Sequence, residues 1–443
     1  MNDRRRTMHS VAIYLTLGCT VVAVGCIPPA SRPPQVLYSQ TTGSSSTGSQ
    51  TTTGNDSLTT NPFERPRDDA GASTTGTKKE PGSIIPQGNG APADSWPVFR
   101  GDIYSTGVSS SQLPDELELI WETEFEESGF EGAAVIDDGV VYTADSYGEV
   151  RAQQLGTGEL IWQASTPLGF IATPAIRDGK LFVGDLDGIF YCYDAKAGGD
   201  PLWTFESMAE IDSGANFYGD KVLFGSQDAT LYCLDADTGE VAWKHQIDDQ
   251  IRCTPTVVED RCFVAGCDGR LHIIDLKKGE ASGGVEIQSP AGVTPAVQGD
   301  YVYFGTEAGV FFGVNWREAE TAWTFEDPRA AQGFRSSAAV KGDLVVVGGR
   351  DRRLRAFDTI SGEQVWQLPV KSRIDCSPVI CGERVYFGAG DGRLYAVDLK
   401  SGESVWEHEV KGGFVASAAI ASGRLVIGSD EGVLYCFGKK DEE

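Results

Sequence analysis

Tryptophan recurs along this chain with a spacing that leaves few folds open. Trp121, Trp162, Trp203, Trp243, Trp323, Trp366 and Trp406 stand 40 to 43 residues apart, except for one double interval in which Gly283 holds the expected place. A period of that size means propeller blades or stacked helical units. Between the tryptophans the apolar residues alternate with a period of two, which selects blades. Each unit reads as four strands, A to D. In the second they are Ile171–Ile176, Lys180–Gly184, Ile189–Asp194 and Leu202–Phe205. Turn signals follow strand A in every unit, from Asp138-Gly139 and Asp178-Gly179 through Gly219-Asp220, Glu259-Asp260, Gly299-Asp300, Gly342-Asp343 and Gly382-Glu383 to Ser422-Gly423. Glycine and aspartate suit such hairpins because a central residue needs positive φ. The predicted fold is all-β, an eight-bladed β-propeller of four-stranded antiparallel blades.

The ring closes by borrowing. The eighth unit, Val415 to Gly438, supplies strands A, B and C and then stops, whereas Leu117 to Phe125, with Trp121, reads as a D strand with no blade of its own. Placing that N-terminal strand on the last blade removes the exposed edge an open sheet would leave.

The residues ahead of the ring predict export and tethering. Arg4, Arg5 and Arg6 precede an apolar run from Val11 to Gly25, the pattern of a secretory signal. The run ends in Ala23-Val24-Gly25-Cys26, which resembles the bacterial lipobox and implies a lipid on Cys26 of a leader spanning 1–26. Ile27 lacks the aspartate that favours inner-membrane retention in enteric bacteria, so the expected home is the outer membrane, facing the periplasm. Residues 27–95, rich in Ser, Thr, Gly and Pro, predict a disordered tether, with the propeller at 96–443.

The turn between strands C and D carries a signature. Asp235-Ala-Asp-Thr-Gly239-Glu-Val-Ala-Trp243 and Asp398-Leu-Lys-Ser-Gly402-Glu-Ser-Val-Trp406 resemble the tryptophan-docking motif of the pyrroloquinoline-quinone dehydrogenase propellers. The same repeat builds the propeller lipoproteins of the outer-membrane β-barrel assembly machinery. Trp96-Pro-Val-Phe-Arg-Gly101 resembles the opening segment of such repeat proteins. The resemblance covers about 345 residues and implies fold; the motifs themselves are structural. It leaves two functions open: a non-catalytic scaffold that binds envelope proteins, including barrel-assembly subunits, or a propeller that binds pyrroloquinoline quinone or another small ligand. The enzymes of that family carry a calcium site of Glu, Asn and Asp, and many have a disulfide between adjacent cysteines. No segment here matches either feature, so the expectation is no cofactor and no catalytic residues.

The residues themselves agree. His245 and His408 follow their tryptophans by two positions, and His272 replaces the aromatic of Tyr191, Tyr232 and Tyr395, so the repeat accounts for them. Cys192, Cys233 and Cys436 share one strand C position that wants a small buried side chain. Buried free thiols are expected, with Cys253 and Cys267 the one pair near enough to bridge. Net charge is about +2 over 1–26, −1 over 27–95 and −28 over 96–443, summing to −27, and so acidic a body disfavours nucleic acid as a partner.

Two features stand above the repeat. At the approach to strand A, equivalent positions read Glu131, Ile171, Asp212, Arg252, Val293, Arg335, Asp375 and Val415. The five charged members, Glu131, Asp212, Arg252, Arg335 and Asp375, form either a recognition ring for a peptide or small polar ligand, or mutually paired charges in a wet channel mouth. In blade six, Arg350, Arg352, Arg353 and Arg355 crowd the B-to-C hairpin. Clustered arginine suits carboxylate recognition at an interface; a solvated loop with Asp351 and Asp358 nearby is the other reading.

Overall fold

The computed structural model describes residues 90–327 and 332–440. The signal segment, Cys26 and the body of the tether lie outside the described residues. Thirty-three strands are present, four for each of eight blades and one more. They form seven four-stranded sheets and one of five strands.

Strands B and C fall where the residue pattern puts them: in blade two, Lys180–Gly184 and Ile189–Asp194. Strand D begins at Trp203. Strand A is shorter than expected, only Ala175–Arg177. Pro174, like Pro255, Pro295 and Pro378 in other blades, has no N–H to give a ladder and restrains the residue before it. Closest to the axis, hydroxyl side chains replace the ladder. The backbone N–H of Ala133, Thr254, Thr294, Ser337 and Ser377 donates to the hydroxyl of Thr173, Thr294, Ser337, Ser377 and Ser417 respectively, each one blade onward, at 2.9–3.0 Å.

Tryptophan docking holds the blades together at their outer ends. The indole of Trp162 donates to the carbonyl of Ala195 in the next blade at 2.8 Å, and Trp121, Trp203, Trp243, Trp323 and Trp366 repeat the bond 33 to 36 residues ahead. Each indole also lies against the C–D turn glycine of that next blade. At Gly402, with φ of 75°, an added Cβ would sit 2.6 Å from the Trp366 ring, so both backbone conformation and space require glycine there. Opposite each tryptophan in its own blade stands a small residue, such as Cys192, Ala152 or Gly313. The exception explains itself. Gly283 pairs with the larger Ile273, which lies 3.5 Å from where a Cβ at 283 would stand, and Trp316 of blade five packs edge-on against Phe263 of blade four at 5.5 Å.

Closure follows the expected route. Glu118–Glu124 pairs antiparallel with Val433–Gly438, setting Trp121 opposite Cys436, so blade eight takes its D strand from the N-terminal end.

The chain ahead of that strand does something the repeat does not announce. Residues 91–111 run as a strap across the inner edges of the A strands at their A–B ends. Trp96 exchanges two backbone bonds with Ile136 of blade one. The carbonyls of Pro97, Ile103, Tyr104, Thr106 and Gly107 accept from Ile176, Val257, Val297, Val340 and Ile380 of blades two, four, five, six and seven. Asn216 of blade three donates its amide to Ile103, and Ser422 of blade eight donates to Ala93. Val108–Ser109 adds in parallel to Val379–Cys381, making the fifth strand of blade seven. Every innermost strand thus has its open edge met. Ala91, ahead of Trp96, is fully buried.

Candidate functional site

The strap determines what the ring axis can hold. Phe99, carried on it, lies at the base of a cavity of about 280 Å³ that opens at the opposite end, where the D–A and B–C loops gather. The axis is therefore a blind cup. Beneath, Arg100 is fully buried and donates to the carbonyls of Ala338 and Pro378. Burial lowers its pKa to about 10.

All eight positions expected to ring the mouth line this cup. One needs correction. In blade five the residue equivalent to Arg252 and Arg335 is Gly292, not Val293: the preceding Ala291 makes the backbone bond to the previous blade that Ile251 and Phe334 make, and Thr294 aligns with Thr254 and Ser337 in the hydroxyl ring. Val293 sits one residue further in, buried.

The five charged positions are not equivalent. Asp375, nearly buried, takes a bidentate pair from Arg350 at 2.8 and 2.9 Å and a third contact from Arg373. Arg252 bonds Gln250 and faces Glu307 at 3.9 Å. Asp212 accepts from Gln227 at 2.8 Å through one oxygen, while its other oxygen is buried without a partner. Burial pushes its carboxyl above the usual range, opposed by the Gln227 bond and the Arg252 charge. Glu131 and Arg335 are exposed, with no ion pair among the described residues.

Three of the four blade-six arginines turn to carboxylates within the propeller when placed on the fold. Arg355 is buried on strand C and grips Asp351 of its own B–C turn. That strand position carries Tyr191, Tyr232 and His272 in other blades, which bond Asp185, Asp228 and Asp268 in the same way, and Arg151 does so with Asp145. Arg355 thus plays a part set by the repeat, a signal already present in the alignment of units. Arg353 shares Asp351 at 2.8 Å, and Arg350 is spent on Asp375. Burial alone would raise the Asp351 carboxyl; the arginine bonds outweigh it and hold it low. Arg352, at a positive φ of 65°, remains exposed.

The face around the mouth is divided. Its loops in blades one to three contain no Lys or Arg and expose Tyr147, Leu168 and Met208. Its described loops from blade four to the D–A loop before blade eight contain Arg252, Arg335, Arg350, Arg352, Lys371, Arg373 and Lys411. Neither the split nor the strap was anticipated from the residue pattern. The eight described cysteines are buried and unbonded, Cys253 and Cys267 included. Among the described residues no three His, Cys, Asp or Glu side chains gather as metal ligands.

Comparison with known proteins places this geometry in a lineage. The chain is similar to a quinoprotein ethanol dehydrogenase of Pseudomonas aeruginosa, 26% identical over 46% of this chain and 27% of the dehydrogenase. It is similar to the outer membrane protein assembly factor BamB of Legionella pneumophila, 25% identical over 40% of this chain and 48% of that protein. The match thus spans less than half the length of either relative. The crystal structure of BamB from Moraxella catarrhalis superposes with a TM-score of 0.62 at 20% identity, covering 74% of this chain and 99% of that one, a likeness of fold. The family described as outer membrane protein assembly factor BamB matches residues 115–200, 195–282 and 284–443, well over half of the chain and every blade. The chain therefore belongs to that family, as a propeller built from PQQ-like repeats.

Proposed function

We propose that this chain is a non-catalytic scaffold of the bacterial envelope. It is anchored by a lipid on Cys26, faces the periplasm from the outer membrane and binds other envelope proteins in outer-membrane protein assembly. The observation that carries this reading is the family match across the whole ring. It is supported by the split mouth face, where an arginine-rich arc stands beside an arc with exposed Tyr147, Leu168 and Met208. Arginine and large apolar side chains are the groups that dominate protein interfaces. An acidic segment of a partner suits Arg352, the outward cation of that arc.

Relatives of equal identity are quinone-dependent dehydrogenases, so a cup that holds pyrroloquinoline quinone is the second reading. The residues present fit that group poorly. A planar tricarboxylate would meet Glu131, Asp212 and Glu307 against Arg252 and Arg335, and like charges brought close together repel. Among the described residues no three His, Cys, Asp or Glu side chains gather beside the cup to hold a metal.

Affinity capture from detergent-solubilised envelope, with the tagged full chain and its Cys26→Ala variant as baits, tests the proposal. Barrel-assembly subunits on the wild-type bait, together with loss of the variant from the membrane fraction, support it. A bait that carries a quinone and oxidises alcohols, or a variant that stays on washed membranes, overturns the corresponding part.

A further inference from the structure

Beyond capture of a protein partner, we propose that the cup binds a small zwitterion of the amino-acid or short-peptide class. Its ammonium rests on Glu131 and Asp212 and its carboxylate on Arg335 and the hydroxyl ring.

The argument begins with the charges that internal pairing leaves open. Asp375 is satisfied by Arg350 and Arg373, and Arg252 by Gln250 and Glu307. What remains is anionic on one side, with Glu131 in blade one and Asp212 in blade three, and cationic on the other, with Arg335 in blade six. Asp212 lines the cup, and because one of its oxygens is shut off with no partner, its charge is offset only by the Gln227 bond and the Arg252 charge. A purely anionic guest would be repelled by Glu131 and Asp212, and a purely cationic one by Arg335 and Arg252. A neutral guest would desolvate all of these without pairing them. A molecule with opposite charges at its two ends meets both sides.

The wall supplies the second line. Thr173, Thr294, Ser337, Ser377 and Ser417 all line the cup, are at least nine-tenths buried, and each accept a backbone N–H from the blade before. Their own O–H groups donate to nothing among the described residues, so five donors stand ready for a carboxylate. Phe99 closes the base, and Ile171, Val293 and Phe334 give apolar wall. At about 280 Å³ the cup lies at the small end of ligand sites, too small for a helix or hairpin and suited to one or two residues.

The test is titration calorimetry on the purified full chain with free L-amino acids and a panel of L-dipeptides bearing apolar, polar and charged second residues, each dipeptide also in N-acetylated and C-amidated form. The expected result is binding of at least one unmodified dipeptide, weakened at least about tenfold by either cap. Arg335→Gln should weaken the free dipeptide by a similar factor and abolish its advantage over the amide. Glu131→Gln with Asp212→Asn should abolish its advantage over the acetylated form. Melting curves check that the variants fold. Absence of binding across the whole panel overturns the proposal, as does equal affinity for capped and free forms, or an Arg335→Gln protein that still prefers the free carboxylate. None of these outcomes bears on envelope capture, which is proposed for the mouth face.

Discussion

Replacing Trp96 with alanine isolates the contribution of the strap. The indole is 1% exposed and belongs to the core that joins blades six, seven, eight and one. It lies against Gly101, where a Cβ would come within 2.6 Å of the ring. Its Nε1 has no hydrogen-bond partner, so the substitution forfeits packing alone. Truncating a buried tryptophan costs about 3–5 kcal/mol. For a ring of about 350 residues, with an unfolding entropy of about 2 cal/mol/K per residue, that is a fall of about 4–7 °C in the melting midpoint. Trp96→Phe should lose less than half of it. The strap's backbone bonds give a second readout. Amide exchange at Ile176, Val257, Val297, Val340 and Ile380, whose N–H groups donate to the strap, should quicken in Trp96→Ala while strand C amides stay protected. An unchanged midpoint together with unchanged exchange would refute the claim that the strap seals the inner edges.

Arg355→Ala should cost about 2–3 kcal/mol by leaving the buried Asp351 to Arg353 alone, whereas Arg352→Ala should leave stability within about 0.5 kcal/mol; paired denaturant melts compare them. His272 has a folded pKa lowered by burial, with Asp268 opposing. The folded state therefore binds fewer protons than the unfolded one just below pH 6.5, and stability should fall as pH drops through that window. His272→Tyr, the residue of neighbouring blades, should remove this part of the pH dependence in melts at pH 7 and 5. Gly283→Trp alone should destabilise by overpacking against Ile273 and Trp316. Combined with Ile273→Ala, Trp316→Leu and Ala319→Gly it should recover most of the loss, a non-additivity that thermal melts would reveal.

Strands B and C and the closing D strand were legible because a two-residue period and repeated turn glycines fix register in each unit, as at Lys180–Gly184 and Ile189–Asp194. The strap was not, because residues 91–111 have no period; their partners are the edges of A strands distant in sequence. The slip between Val293 and Gly292 came from counting along an irregular loop, where alignment on the hydroxyl of Thr294 would have held. The arginine cluster misled for a related reason. Sequence proximity joined Arg350, Arg353 and Arg355, whereas position within the unit sends Arg350 to Asp375 and both Arg353 and Arg355 to Asp351.

The most direct measurement of the scaffold account is site-specific photo-crosslinking in intact envelope. A photoreactive residue would replace Arg352 on the mouth face or, separately, the exposed Lys196 in a C–D turn at the opposite end. The account predicts adducts with envelope proteins, barrel-assembly subunits among them, from position 352 and few or none from position 196. Adducts from 196 alone, or none from either site in a chain present at normal abundance, would contradict it.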